Sequence, residues 1–101
     1  KEDLDMTENT QPAIFLVGYS IYQVAIREFN LNLNEATFAA GHSLGEYTAL
    51  SCLGSLKFSD GLKILKIRGQ SMQNSVPVGE GCMISVIGVK IEELDKIFLY
   101  I

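Results

Sequence analysis

A serine flanked by glycines lies near the middle of the chain, in Gly41-His42-Ser43-Leu44-Gly45. A serine hydroxyl is a weak nucleophile until it is exposed, oriented and given a base. The pattern Gly-x-Ser-x-Gly favours exposure and orientation, because it places the serine on a strained turn between a strand and a helix. Gly41 and Gly45 are expected to relieve crowding there. The N–H of Leu44, at the helix N-terminus, is expected to stabilise an oxyanion. The pattern predicts that Ser43 accepts an acyl group.

The general base that would activate Ser43 is harder to find. His42 is the only histidine in the chain, and it is adjacent to the serine. A base must approach the hydroxyl to about 2.6–3.2 Å, whereas neighbouring side chains on a sharp turn point apart. We therefore expect His42 to pack beside the turn and to hydrogen-bond the surrounding backbone, and we expect the base to lie outside this chain.

A second unusual residue is Arg68, in a predicted helix. At about 100° per residue, it falls on the flank of an apolar face, between Ile64 and Met72. A guanidinium in that position costs desolvation unless an anion pairs with it. Two interpretations are open. Arg68 forms a structural ion pair or lies flat with its head in water, or it binds a substrate carboxylate near Ser43.

The hydrophobic pattern, together with the positions of proline and glycine, predicts the helices and strands that position these residues. Lys1–Gln11 is polar and predicts a loop, and Pro12 suits the first turn of a helix that ends near Phe29. The short apolar run Ala36–Ala40 predicts a buried strand leading into the turn. A second helix is expected over Leu44–Cys52, ending at Gly54.

In the second half of the chain, capping residues and glycines again indicate where elements begin and end. Ser59 is expected to cap a third helix that runs to about Asn74, with Leu62, Leu65, Gly69 and Met72 on one side and Lys63, Lys66 and Gln70 on the solvated side. Gly79 and Gly81 predict a loop, Cys82–Val89 a strand and Ile91–Phe98 a short helix. Alternating helices and strands favour an α/β fold class.

Composition narrows the class of protein. The chain has 101 residues, of which 48% are hydrophobic and 20% charged, as in globular domains. A net charge of −4 argues against a nucleic-acid or anionic-membrane surface. No apolar run approaches the roughly 20 residues of a membrane span. Cys52 and Cys82 match no metal-ligand spacing, so we expect no metal and two reduced core thiols, as is usual in the cytoplasm.

Three motifs together resemble one enzyme family. The nucleophile run extends through Glu46-Tyr47, the run Thr7-Glu8-Asn9-Thr10-Gln11-Pro12-Ala13 precedes it, and Arg68-Gly69-Gln70-Ser71-Met72-Gln73 follows it. Val76-Pro77 and Gly79-Glu80-Gly81 come next in the expected place. The order and spacing resemble the malonyl-CoA:acyl carrier protein transacylases of type II fatty-acid synthesis, over nearly the whole chain.

The resemblance implies roles for individual residues. Ser43 would attack the thioester of malonyl-CoA and hold the malonyl group as an ester, which the phosphopantetheine thiol of acyl carrier protein would collect. Arg68 would pair with the malonyl carboxylate and so select malonyl over acetyl. Leu44 N–H would bind the oxyanion, and Gly41, His42, Gly45 and Met72 would support the site. No cofactor, membrane or nucleic acid is implied, and the full-length protein would be a cytoplasmic monomer.

The resemblance also implies a fold. Residues 1–81 would be part of an α/β-hydrolase-like large subdomain, and residues 82–101 would begin an inserted ferredoxin-like small subdomain. The family's glutamine-containing oxyanion loop would precede Lys1, and its catalytic histidine would follow Ile101. We therefore expect this chain to be an internal fragment with no activity of its own.

Alternatives stay open on the sequence. An acyltransferase domain of a larger synthase shares the nucleophile and arginine motifs, although the Thr7–Ala13 run and Met72-Gln73 favour the stand-alone enzyme. A serine hydrolase would share Ser43 and use water as the acceptor, without a need for Arg68. A non-catalytic fragment would be consistent with the single, misplaced histidine.

Overall fold

The computed structural model describes residues 2–77, 79–81 and 83–98. In these ranges the chain forms five α-helices and a single 3₁₀ turn at Leu33–Glu35. The α-helices are α1 (Glu2–Asp5), α2 (Thr7–Glu28), α3 (Gly45–Cys52), α4 (Phe58–Gln73) and α5 (Ile91–Phe98). The described residues include no helix that combines the length and apolarity of a membrane span.

The core is the contact between α2 and α4. Phe15 and Leu65 are completely buried there. The ring of Phe15 stacks on Phe58 with centroids 5.3 Å apart, and Tyr19 stacks on the same ring at 4.7 Å. Gly61 makes room for this, because a Cβ on it would lie 2.5 Å from the Phe15 ring. The burial of Phe15 and the stacking of these rings stabilise the contact between α2 and α4.

The N-terminal segment differs from the predicted loop. The helix begins at Thr7, so Pro12 lies inside α2 and not in its first turn. The cause is local: Thr10 Oγ1 donates to the carbonyls of Leu4 and Met6, and Asn9 Nδ2 donates to the Asp3 carbonyl. These polar side chains satisfy carbonyl groups at the α1–α2 junction. Asn and Thr side chains are also common in loops, so their presence in the sequence did not indicate a helix here.

The ends of α3 and α4 follow the sequence more closely. Gly54 stops α3 with φ of +75°, and hydrogen bonds from Gly54 N to Ser51 O and from Ser55 N to Leu50 O complete a Schellman motif. Asn74 caps the end of α4 as predicted. The start of α4 was predicted wrongly: Lys57 is the N-cap and Ser59 lies within the first turn, with Asp60 beside it.

The face of α4 is close to the prediction, with two differences. Leu65 and Gly69 are buried and Leu62 is half-buried, whereas Met72 stays 39% exposed. Lys66 was expected in solvent but is half-buried, because its ammonium bonds Asn9 Oδ1 at 2.7 Å and pairs with Glu8 at 3.2 Å. Lys63 and Gln70 are exposed.

Neither predicted strand forms within the described residues. Residues 36–40 and 83–89 have no regular secondary structure, and Cys82 lies outside the described residues. A strand requires a neighbouring strand to pair its backbone N–H and C=O groups. The predicted helix begins at Ile91 as expected and continues to Phe98, where the described residues end. Among the described residues α5 packs against no other helix.

Candidate functional site

Ser43 lies on a strained turn directly before α3. Its φ is +54°, in the left-handed region that residues with a side chain rarely adopt. The turn is closed by a hydrogen bond from Gly45 N to His42 O at 2.8 Å. Ser43 itself is exposed. This is the conformation that the Gly-x-Ser-x-Gly pattern predicts.

The two glycines of the turn are not equivalent. A Cβ on Gly41 would lie 2.0 Å from backbone atoms of Gly45, so any larger residue would displace the start of α3. A Cβ on Gly45 would meet nothing within 4 Å among the described residues. The crowding predicted for both therefore holds for Gly41 alone in this part of the chain.

The N-terminus of α3 presents a backbone donor beside the serine. Leu44 is the N-cap of the helix, and no acceptor in the described residues takes its N–H. Helix N-termini carry partial positive charge and free N–H groups, so this donor is suited to a developing negative charge. The oxyanion role of Leu44 stays a prediction.

His42 is exposed and lines a shallow groove beside Ser43. Its carbonyl accepts from Gly45 N. Its imidazole makes no hydrogen bond to the described part of the chain, so the prediction that this ring bonds the surrounding backbone is wrong for these residues.

Cys52 lines the same groove, together with Ile14 and Ala40. It is half-buried, whereas a fully buried core position was predicted. Desolvation raises the pKa of the Cys52 thiol above its ordinary value, because burial disfavours the thiolate. Cys82 lies outside the described residues.

Arg68 reaches Ser43 from α4. Its Nη2 donates to Ser43 Oγ at 3.2 Å, and its Nη1 donates to Gln11 Oε1. Its guanidinium carbon lies 6.0 Å from the centre of the Tyr47 ring, at the limit of a cation–π contact. The described residues offer Arg68 no carboxylate. The structural ion pair considered for Arg68 is therefore not formed in this part of the chain.

Gln11 connects the upstream motif to Arg68. It is 4% exposed, and its Nε2 donates to Thr7 Oγ1 at 3.2 Å and to Met72 Sδ at 3.3 Å. Neither Gln11 nor Tyr47 has a separate role predicted from the sequence. Helical spacing could have indicated Gln11, since it lies four residues before Phe15 on the buried side of α2.

A second groove lies beside Met72. Thr7 and Met72 line it with residues of the downstream motif, namely Val76, Pro77, Gly79 and Gly81. Three motifs far apart in sequence thus meet around Arg68: Thr7–Gln11, the nucleophile turn, and Arg68–Met72. Chemically the arrangement combines an exposed hydroxyl, an oriented N–H and an arginine without an anionic partner among the described residues.

Comparisons with known proteins identify sequences related to this chain. The family model described as "Acyl transferase domain" matches residues 1–98. The malonyl CoA-acyl carrier protein transacylase of Haemophilus influenzae is 43% identical over 93 residues, covering 92% of this chain and 29% of the relative. The enzyme of that name from Escherichia coli K12 is 39% identical over 95 residues, covering 94% and 30%.

A relative from a third organism gives the same result. The malonyl CoA-acyl carrier protein transacylase of Bacillus subtilis strain 168 is 36% identical over 96 residues, covering 95% of this chain and 29% of the relative. The chain thus spans less than a third of the length of these curated relatives. No solved structure matches it. With a family match from the first residue to the last helix, this chain belongs to the acyl transferase domain family.

Proposed function

We propose that the full-length protein containing this chain transfers a malonyl group from malonyl-CoA to the phosphopantetheine thiol of acyl carrier protein, through a malonyl ester on Ser43. The observation that carries the proposal is the 3.2 Å contact between Arg68 Nη2 and Ser43 Oγ. It places a fixed positive charge beside an exposed nucleophile. The names of the relatives supply the acyl group and the carrier.

The chemistry is an acyl exchange in two matched halves. Ser43 Oγ bonds to the thioester carbonyl carbon, the carbon–sulfur bond breaks, and the hydroxyl proton passes through a base to the departing thiolate. Leu44 N–H stabilises the tetrahedral oxyanion between these events. The carrier thiol then repeats the sequence in reverse and frees Ser43. The base is the histidine that family resemblance places after Ile101.

Arg68 accounts for the choice of acyl group. A single methylene separates the carboxylate of a malonyl group from the carbonyl that Ser43 attacks, so one short site holds both. A guanidinium stays charged at every physiological pH and binds carboxylates through two parallel N–H groups. An acetyl group would leave that charge without a partner. The proposed pairing selects for acyl groups that end in a carboxylate.

The proposal extends to the architecture and setting of the full-length protein. Residues 1–81 would belong to an α/β-hydrolase-like subdomain and residues 82–101 would begin a ferredoxin-like one. Segments 36–40 and 83–89 would become strands once neighbouring strands pair their backbones. The protein would be a cytoplasmic monomer.

The test is detection of the acyl-enzyme. Full-length protein and its Ser43→Ala variant are incubated with malonyl-CoA and examined by intact-mass spectrometry. We expect a malonyl adduct on the unsubstituted protein, none on the variant, and fast discharge of the adduct only when acyl carrier protein is added. Discharge by water at the same rate without the carrier would instead make the protein a serine hydrolase. The isolated chain is expected to form no adduct, and an adduct on it would contradict the expected inactivity.

A further inference from the structure

The buried amide of Gln11 is a feature that the proposed reaction does not use. Gln11 is 4% exposed on α2 and lies against the guanidinium of Arg68 on α4. A buried polar side chain costs stability unless its hydrogen-bonding groups are satisfied. Here both ends of the amide have partners, so what it does for Arg68 can be derived from those contacts.

The neighbours of Gln11 determine which way its amide points. Its Nε2 faces Thr7 Oγ1 at 3.2 Å and Met72 Sδ at 3.3 Å. A thioether sulfur accepts weakly and donates nothing, so the NH₂ group belongs on that side. The carbonyl oxygen must then face Arg68. Met72 and Thr7 therefore fix the amide with its acceptor aimed at the guanidinium.

The acceptor that Gln11 offers is neutral. A carboxylate in the same place would pair with Arg68 through a charge-assisted bond and offset its charge locally. The amide takes one N–H, on Nη1, and leaves the positive charge intact. The other terminal nitrogen, Nη2, stays directed at Ser43. The guanidinium carbon also lies 6.0 Å from the centre of the Tyr47 ring, which is not a carboxylate and forms no ion pair with it.

We infer that Gln11 is a positioning residue that sets acyl selectivity: it holds Arg68 beside Ser43 while leaving the guanidinium charge free for a substrate carboxylate. The inference rests on the proposed function and deepens it. It assigns specificity to a residue that touches neither the acyl group nor the nucleophile. It also gives the upstream motif a task, since Thr7 and Gln11 act together on Arg68.

The experiment compares two substitutions of Gln11 in the full-length protein. Gln11→Glu keeps the length and adds a charge, and Gln11→Met keeps the length and removes the acceptor. We expect Gln11→Glu to raise KM for malonyl-CoA about tenfold or more while acetyl transfer is unchanged, since the new carboxylate competes with the substrate for Arg68. Gln11→Met should lower the ratio of malonyl to acetyl transfer by a smaller factor.

The control is Gln70→Glu, which makes the same charge change at an exposed position of the Arg68 helix and should change neither substrate's kinetics. Acetyl transfer reports on folding, so a variant that loses both activities in parallel has a merely structural defect and overturns the inference. Unchanged malonyl selectivity in Gln11→Glu overturns it as well. If the unsubstituted protein forms no malonyl-Ser43, the proposed function and this inference both fail.

Discussion

Ser43 carries backbone strain that a glycine would not. A left-handed conformation costs a residue with a Cβ about 1–2 kcal/mol, and Ser43 adopts it with φ of +54°. The turn keeps this strain because Gly41 lets the backbone of α3 approach closely. The result is an exposed hydroxyl on the residue before Leu44, whose N–H has no acceptor among the described residues. Strain at such a position is typical of functional residues.

Replacing Arg68 tests the selectivity of this site at the residue scale. In the full-length protein, Arg68→Ala should reduce malonyl transfer much more than acetyl transfer, because the charge-assisted bonds to the carboxylate are lost. These are worth about 1.5–3 kcal/mol, or roughly 10- to 150-fold. The measurement is kcat/KM with each acyl-CoA. Lys63→Ala, at an exposed cation on the same helix, should change neither value, and an equal loss with both substrates in Arg68→Ala would make Arg68 structural.

At the scale of elements, the contact between α2 and α4 assembles the site. Gly69 lies against the backbone of α2, where a Cβ would come within 2.4 Å of Glu8 Cα and 2.8 Å of Thr7 O. Lys66 bonds Glu8 and Asn9 one turn earlier. This close approach sets the distance at which Gln11 meets Arg68. Two sequence motifs that look independent are therefore two sides of one helix–helix contact.

Gly69→Ala should separate these helices. Overpacking of a tight contact costs about 1–3 kcal/mol, and here the obstructing atoms are backbone, which cannot rotate away. We expect a lower Tm of the full-length protein by calorimetry, with reduced malonyl selectivity as Arg68 loses Gln11. Ser71→Ala, at an exposed position of the same helix, should leave both unchanged. A Tm for Gly69→Ala equal to that of Ser71→Ala would contradict the tight contact.

At the scale of the whole molecule, the chain exposes far more surface than a self-contained domain. Its accessible surface is 8282 Å², against about 5,700 Å² expected for a folded protein of 11.1 kDa. Its radius of gyration is 17.4 Å, against about 13 Å. Apolar side chains along α2 and at its C-cap are part of this surface, with over 45% exposure at Leu16, Val17, Ile21, Val24 and Phe29.

The isolated chain should therefore behave as a loosely packed helical protein. We expect it to bind the dye ANS and to unfold over a broad range of denaturant, because among the described residues only Phe15 and Leu65 are large and fully buried. Fluorescence and far-UV circular dichroism measure this. Ile21→Lys, at a 64% exposed position, should lower dye binding without loss of helix. A sharp two-state transition with no dye binding would contradict the expectation.

The sequence by itself determined the residues that could do chemistry. Ser43 and Arg68 were identified from a turn pattern and a misplaced charge, and the structure places them 3.2 Å apart. The helix ends at Gly54 and Asn74 and the start of α5 at Ile91 were also predicted. These signals are local, because a left-handed glycine or an amphipathic turn acts within a few residues.

The tertiary structure decided what those residues touch. Gln11 and Arg68 are 57 positions apart, and no local signal carries that distance. Lys66 is half-buried and not fully solvated because its ammonium pairs with Glu8 and bonds Asn9 on another helix. The predicted strands show the reverse case: their hydrophobic pattern is present in the sequence, but a strand forms only where another strand pairs with it. The nucleophile turn could thus be predicted from one short segment of the sequence. The contacts that Arg68 makes with Ser43 and Gln11 depend instead on the packing of α2 against α4.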